Sequence, residues 1–510
     1  MLTQDILTNN RSEKIALLFE AETLSYEDLD KLSNQFAHFF QARGISKGDR
    51  VSFISLNDSL LVAGYFGAFK SGAIANPINN RLMPAELAYI LNHAESKCIV
   101  ISSDFIELLA NTLSLLKHRP EILVIRAPEN LGIDAYDDQD IKNSSTHALV
   151  MDILSPEDGA LLLYTSGTTG NPKGVLLTHA NLCHAAKIVS AGFDIQENDR
   201  TLCVMPLFHT NGLMFSNLPF LYRGASIALR KRFSASNFWS ECKEYSVNSS
   251  SVSPTILSLL LEHEKQAPQA SEIALKYIKV ASAPTSKELA ERFENRFGKN
   301  LLLETFGLTE TTAINTMNPL RGSRKFGSIG QALDPQKVMI ADQNGNCLAV
   351  NEVGELLIQG DLIMKEYYLD PINTANTVKN GWLHSGDLAK IDEDGFVFIV
   401  GRKKEMIIRG GENISPLEVE QVAALHPDVL EAAAVGLFDQ IWGERVGLVV
   451  VSTKVVSAEI IIDFCRAHLS PFKVPEKVVF SDKLPRNAMG KVMRNSLRAA
   501  FLTSEGQSHE

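Results

Sequence analysis

Basic charge is in short supply in this chain: 49 lysines and arginines stand against 60 aspartates and glutamates, a formal net charge of -11. A general nucleic-acid binder shows a basic face, so this balance argues against that class of partner. It argues for little else, because an acidic surface also keeps ordinary enzymes dispersed. Cysteine is scarce and scattered, at Cys98, Cys183, Cys203, Cys242, Cys347 and Cys465, with no CxxC pair. That spacing fits neither a disulfide framework nor a zinc site and suits a reducing compartment. Long hydrophobic runs are missing as well. The longest, LLVAGYFGAF from Leu60, is too short to span a bilayer. The first residues, MLTQDILTNNRSEK, lack the apolar core of a signal peptide. A cytoplasmic protein without an integral membrane segment is expected. Repeats and low-complexity tracts are also absent, and the last residues, TSEGQSHE, read as a frayed tail.

What is present is a globular chain of 510 residues, 45% of them hydrophobic, too long for one ordinary core. Ser25 opens a segment in which Leu29, Leu32, Phe36 and Phe39 fall at helical spacing, with Asp28 placed to cap and Gly44 to stop it. RVSFISL then reads as a strand, SLLVAGYFGAFKSG as a helix and KCIVIS as a strand. The alternation continues through TLCVMPL, SIALR, NFWSECKEYSV, YIKVASA and SKELAERFENRFG. Such alternation predicts an α/β architecture with mostly parallel sheets. After Gly327 short strands divided by Gly, Asn and Asp turns predict a small β-rich subdomain up to about residue 400. Beyond the charged run GRKKE lies an α+β unit. Its helix SPLEVEQVAALHPDV has Ser415 as N-cap, Pro416 at the first helical position and Glu418 to complete a capping box.

One stretch stands out from this texture. In LLLYTSGTTGNPKGVLLTH, from Leu161 to His179, two apolar runs that read as buried strands flank hydroxyls, glycines and Lys173. Glycines let a backbone aim its N–H groups at one point, hydroxyls add donors, and a lysine adds positive charge, which together suit a polyphosphate. The stretch is not a Walker A loop, because Pro172 stands where the second glycine belongs, and it is not GxGxxG. Composition alone leaves a phosphate loop and a plain Gly/Thr turn equally open.

YTSGTTGNPKG resembles the signature loop of the adenylate-forming superfamily, which includes acyl-CoA synthetases, aryl-CoA ligases, firefly luciferase and peptide-synthetase adenylation domains. Further motifs of that superfamily follow in order: PLFHTNG, TFGLTET, GELLIQG, HSGDLA, GRKKEMIIRGGENISPLEVE and LPRNAMGK. The likeness covers nearly the whole chain, least distinctively at its N-terminal end. It implies a large N-terminal domain of stacked α/β sheets over residues 1–400, a hinge at 401–404, and a small mobile α+β domain over 405–510.

The resemblance also implies an activity: MgATP activates a carboxylic acid as acyl-adenylate with release of pyrophosphate, and coenzyme A then displaces AMP. Thr165, Ser166, Gly167, Thr168, Thr169, Gly170 and Lys173 are expected to cradle the phosphates. Glu310 is expected to hold magnesium and Thr309 to contact the α-phosphate. Thr305, Phe306 and Gly307 belong to the nucleotide site, Phe306 standing where the family stacks adenine, usually on a tyrosine. Asp387 should accept the ribose hydroxyls, with Arg402 assisting there or near the phosphates. Lys491 matches the catalytic lysine, and Lys404 the hinge at which the C-terminal domain rotates between half-reactions. Gly410 and Gly411 either let the pantetheine arm of CoA pass or form a simple turn.

For the acid pocket the resemblance implies His209, Met214, Phe215, Ser282, Ala283, Pro284 and Gly307, with His209 as gate or carboxylate contact. Ser282 departs from the glycine common at its position. VMPLFHTNGLMFSNLPF contains no acidic residue to pair with an α-ammonium, which weakens amino acids as substrates. Short- or medium-chain fatty acids and aromatic acids are favoured. Transfer to a carrier-protein thiol, and a catalytically inactive nucleotide-binding relative, are the competing expectations. The joint presence of Glu310, Asp387, Arg402 and Lys491 speaks against the latter.

Overall fold

The computed structural model describes residues 1–128, 133–149, 154–165, 171–486 and 492–505. The chain divides into two compact units, one of residues 1–285, 289–337 and 358–383, the other of 286–288, 338–357 and 384–510. The expected hinge residues 401–404 fall inside the second unit.

The first unit is built on two sheets. One has nine strands and is parallel from Leu302–Gly307 through Tyr277–Val280, Ser249–Val252, Arg200–Cys203 and Ser226–Leu229 to Ile15–Phe19, with antiparallel strands at both ends. The other has seven, in the order Glu366–Tyr367, Lys173–Thr178, Gly159–Thr165, Ile74–Pro77, Arg50–Ile54, Cys98–Ser102, Glu121–Ile125. Its central strands, Gly159–Thr165, Ile74–Pro77 and Arg50–Ile54, are buried almost throughout because both faces are covered. Helices Tyr26–Ala42, Ser59–Ser71 and His179–Gly192 bury their apolar faces in one core with residues of both sheets.

Local chemistry sets the element ends. The Ser25 hydroxyl accepts the Asp28 N–H at 3.0 Å while the Asp28 carboxylate accepts the Ser25 N–H at 3.1 Å, a full capping box. At the other expected box the structure differs. Ser415 accepts the Glu418 N–H at 3.4 Å and caps Pro416–Ala424, but the Glu418 carboxylate is taken by Lys473 at 2.6 Å. An ammonium is the stronger partner, so only half the box forms.

In the second unit, Val429–Asp439 and Gly443–Ser452 form a long antiparallel hairpin. Lys477–Phe480 pairs in parallel with Gly443–Ser452, and the small hairpin Ile407–Arg409/Glu412–Ile414 joins the same strand, Arg409 opposite Gly443. Among the described residues no helix is long and apolar enough to cross a membrane.

Candidate active site

The glycine-rich stretch joins two antiparallel strands of the seven-stranded sheet. Gly159–Thr165 pairs with Lys173–Thr178, with Tyr164 opposite Gly174 and Thr165 opposite Lys173. Both flanking runs are buried strands, as their apolar composition predicts. Of the expected phosphate-binding residues, Thr165 and Lys173 sit half-buried at the two strand ends. Ser166, Gly167, Thr168, Thr169 and Gly170 lie outside the described residues. Tyr89 steadies the returning stem by donating from its hydroxyl to the Pro172 carbonyl at 3.3 Å.

Glu310 comes to the same place from another sheet. Leu302–Gly307 is buried up to Thr305, whose hydroxyl donates to the Val280 carbonyl at 3.2 Å, and becomes half-buried at Phe306 and Gly307. A Cβ on Gly307 would lie 1.9 Å from the Ala313 carbonyl oxygen, so the close approach of two backbones requires glycine there. A single 3-10 turn, Thr309–Thr311, then presents Thr309 and Glu310 half-buried, while Thr312 anchors it through a hydrogen bond to the Leu362 carbonyl at 2.7 Å. The Tyr367 hydroxyl donates to the Glu310 Oε1 at 2.9 Å, and the Lys173 Nζ stands 4.8 Å from the centre of the same Tyr367 ring. Burial, and after it the Glu310 carboxylate, push the Tyr367 hydroxyl well above the usual phenol range, so it stays protonated and donates. Tyr367 was not legible as a site residue. It lies on a strand of two residues, Glu366–Tyr367, which has no periodicity to read.

The expected acid-pocket residues fall into two environments. Asn211–Phe215 forms a π-helical turn, a form frequent at functional sites. Within it Met214 and Phe215 are fully buried in the main core. His209 is half-buried, its Nδ1 accepting the Asn211 N–H at 3.2 Å. Ser282, Ala283 and Pro284 are exposed, and Ser282 adopts φ +79°, a left-handed conformation that accounts for glycine being common at such a position. Asn211, not singled out from the sequence, links the two segments by donating from its Nδ2 to the Ser282 hydroxyl at 3.2 Å. Beneath them the Lys279 amine is fully buried and bonds the Phe215 carbonyl, and burial brings its pKa down to about 7.

In the second unit Asp387 and Arg402 are direct partners across an antiparallel pair, joined at 2.8 Å, with Asp387 buried. Glu355 braces this turn. Its carboxylate accepts the Gly386 N–H at 3.2 Å and meets His384 at 3.2 Å and Lys403 at 3.3 Å. Burial raises the Glu355 carboxyl, but the bonds from His384 and Lys403 outweigh it and leave it below the usual range. Lys404 is exposed in the turn that follows. Gly410 and Gly411, at φ +59° and +89°, form the turn of the Ile407–Arg409/Glu412–Ile414 hairpin, so the turn alone requires them. Lys491 lies outside the described residues. Its flanks pair, Arg486 with Val492.

Residues 6–368 match the family model described as AMP-binding enzyme, and residues 418–491 the one described as AMP-binding enzyme C-terminal domain. The chain is 34% identical to an oxalate–CoA ligase of Arabidopsis thaliana over 90% of each protein. It is 31% identical to the long-chain-fatty-acid–CoA ligase FadD13 of Mycobacterium tuberculosis, over 94% of this chain and 93% of that protein. Among solved structures it resembles the o-succinylbenzoate CoA synthetase of Bacillus subtilis in complex with its acyl-adenylate intermediate, with a TM-score of 0.86, 29% identity and 98% of each chain covered.

Proposed function

This chain belongs to the AMP-binding enzyme family and is an AMP-forming acid–CoA ligase, and we propose how its residues divide that reaction. In the first half, an oxygen of the acid's carboxylate bonds the α-phosphorus of ATP, and the bond from that phosphorus to the pyrophosphate oxygen breaks. In the second, the thiol sulfur of CoA bonds the acyl carbon and AMP leaves. Such chemistry asks the protein for in-line positioning and for neutral surroundings to developing phosphate charge, not for a nucleophile.

The observation that carries this reading is the convergence on one tyrosine of Lys173 and Glu310, which are carried by different sheets and lie far apart in sequence. A cation from a glycine-rich hairpin and a carboxylate from a separate sheet, held on one side chain, supply the two kinds of group a metal-bound triphosphate would need. Among the described residues no group of three or more His, Cys, Asp or Glu is placed to hold a metal. A single hard carboxylate of this kind fits magnesium arriving with the nucleotide, bound otherwise by phosphate oxygens and water. When bound there, the ion would neutralise charge on the phosphates. Lys173 and the hydroxyls of the hairpin would hold the β- and γ-phosphates and Thr309 the α-phosphate. Asp387 and Arg402 would hold the ribose. Lys491 would bridge the α-phosphate and the attacking carboxylate. Gly410 and Gly411 would pass the pantetheine arm, and Lys404 would serve as hinge.

We favour an acid without an α-ammonium group, since residues 204–220 offer no carboxylate to pair with one. Short- or medium-chain fatty acids and aromatic acids are favoured, since the same largely apolar stretch offers no lysine or arginine to pair with a second carboxylate. The scattered free thiols support a reducing, cytoplasmic setting. The test is to incubate the protein with MgATP and a panel of fatty, aromatic and dicarboxylic acids, with and without CoA, and to resolve AMP from ADP. CoA-dependent AMP with a subset of acids is the expected result. AMP without any CoA effect would move the acceptor to a carrier-protein thiol, and no AMP with any acid would leave a nucleotide-binding protein without the activity.

A further inference from the structure

Tyr367 touches both halves of this machinery and has no part in the reaction scheme. Its strand, Glu366–Tyr367, pairs with the returning stem of the glycine-rich hairpin, Tyr367 opposite Val175 and Glu366 opposite Leu176. The neighbouring backbone extends the attachment, Lys365 N–H to the Leu176 carbonyl at 3.0 Å and Tyr368 N–H to the Gly174 carbonyl at 2.7 Å. From this fixed point the side chain reaches Glu310. The Glu310 carbonyl, in turn, accepts the Met364 N–H at 2.8 Å, so the turn bearing Glu310 and the strand bearing Tyr367 are joined twice. The ring is buried, and its face lies under the Lys173 ammonium.

We propose that Tyr367 is a positioning residue that sets the Lys173 ammonium by its ring face and the Glu310 carboxylate by its hydroxyl, so that both are in place before the metal nucleotide arrives. The two contacts are chemically separate. The hydroxyl bond engages the Oε1 atom of Glu310. The ring holds a cation that would otherwise be drawn to a carboxylate, and Asp370 lines the same open cavity as Lys173 and Tyr367. An ammonium on an aromatic face gives way to a triphosphate with less loss than one in an ion pair. The proposal rests on the roles given above to Lys173 and Glu310.

The two contacts can be removed in turn. Tyr367→Phe keeps the ring and deletes the hydroxyl, whereas Tyr367→Leu deletes both. Binding of the non-cleavable analogue α,β-methylene-ATP is measured by calorimetry across a magnesium series, with pyrophosphate exchange and melting temperature measured alongside. Loss of one hydrogen bond to a charged group predicts that Tyr367→Phe raises half-saturating magnesium about tenfold. Its affinity for the analogue at saturating magnesium and its melting temperature stay near those of the parent. Tyr367→Leu should show the same magnesium shift together with weaker analogue binding at saturating magnesium. If it does not fold, the Phe variant alone carries the test. Unchanged magnesium dependence in Tyr367→Phe overturns the proposal, as does a loss that tracks melting temperature alone. Glu310→Gln separates the two levels. If it leaves magnesium dependence untouched, the reading of Glu310 fails and this proposal with it. If Glu310→Gln is impaired while Tyr367→Phe is normal, the proposal alone fails.

Discussion

Asp387 and Arg402 face each other directly across an antiparallel pair, and the Arg402 Nε lies 2.8 Å from the Asp387 carboxylate. Asp387 is 3% exposed, so its orientation is fixed by this partner and by the Ser385 hydroxyl, which accepts its N–H at 3.0 Å. A carboxylate held in this way suits the ribose role proposed for it above. Asp387→Asn should therefore raise the KM for ATP about tenfold, the scale of a lost charged hydrogen bond, with a smaller effect on kcat. Steady-state kinetics at saturating acid and CoA check it, and an unchanged KM would remove Asp387 from the ribose site.

Lys491→Ala should abolish formation of acyl-adenylate while sparing thioester formation from supplied acyl-adenylate and CoA. The two half-reactions are read separately by pyrophosphate exchange and by thioester yield. Equal loss of both would refute a role for Lys491 in the first half alone.

Glu304, buried on the strand that leads to Phe306, has its carboxyl pushed up to about 8 by burial, against an ordinary value of 4.5. The hydrogen bonds from the Gly327 N–H at 3.2 Å and from Thr285 pull the other way and do not compensate. The folded state thus holds a proton that the unfolded chain releases between those two values, so stability falls as pH rises from about 4.5 to about 8. Glu304→Gln should remove this slope. Its melting temperature should match the parent near the acid end of that window and exceed it at the alkaline end.

At the Gly410–Gly411 turn, backbone and ligand roles separate by substitution. A Cβ at Gly410 would lie 2.9 Å from the Trp442 ring, at φ +59°, so Gly410→Ala should cost about 1–2 kcal/mol in denaturant unfolding. For Gly411, at φ +89°, no atom of the described residues beyond its own chain neighbours lies within 4 Å of its notional Cβ. If the pantetheine arm passes there, Gly411→Val should raise the KM for CoA and leave CoA-independent pyrophosphate exchange intact. An unchanged KM would leave the turn as the whole reason for the glycines.

The sequence was most legible where structure is local. The helix from Tyr26, its Ser25 cap and the buried runs on either side of the glycine-rich stretch all follow from short-range periodicity and capping chemistry. At Ser415 local reasoning reached only half the answer, because Lys473 lies 55 residues from Glu418. Tyr367 was out of reach for the same reason: its contact with Glu310 spans 57 residues and its strand is too short to show a pattern. Met214 and Phe215 mark another limit. An apolar side chain that lines a pocket and one that fills a core have the same composition, and the structure places these two in the core.

The strand Glu366–Tyr367 also closes the seven-stranded sheet at the side of the glycine-rich hairpin. Without it, Lys173–Thr178 would offer its apolar VLL run as an open edge to any other extended chain. The segment that carries the tyrosine is therefore a guard against edge-to-edge association as well. A proteolytic cut or an insertion near Glu366 should show itself as aggregation together with the altered magnesium dependence expected of Tyr367 variants.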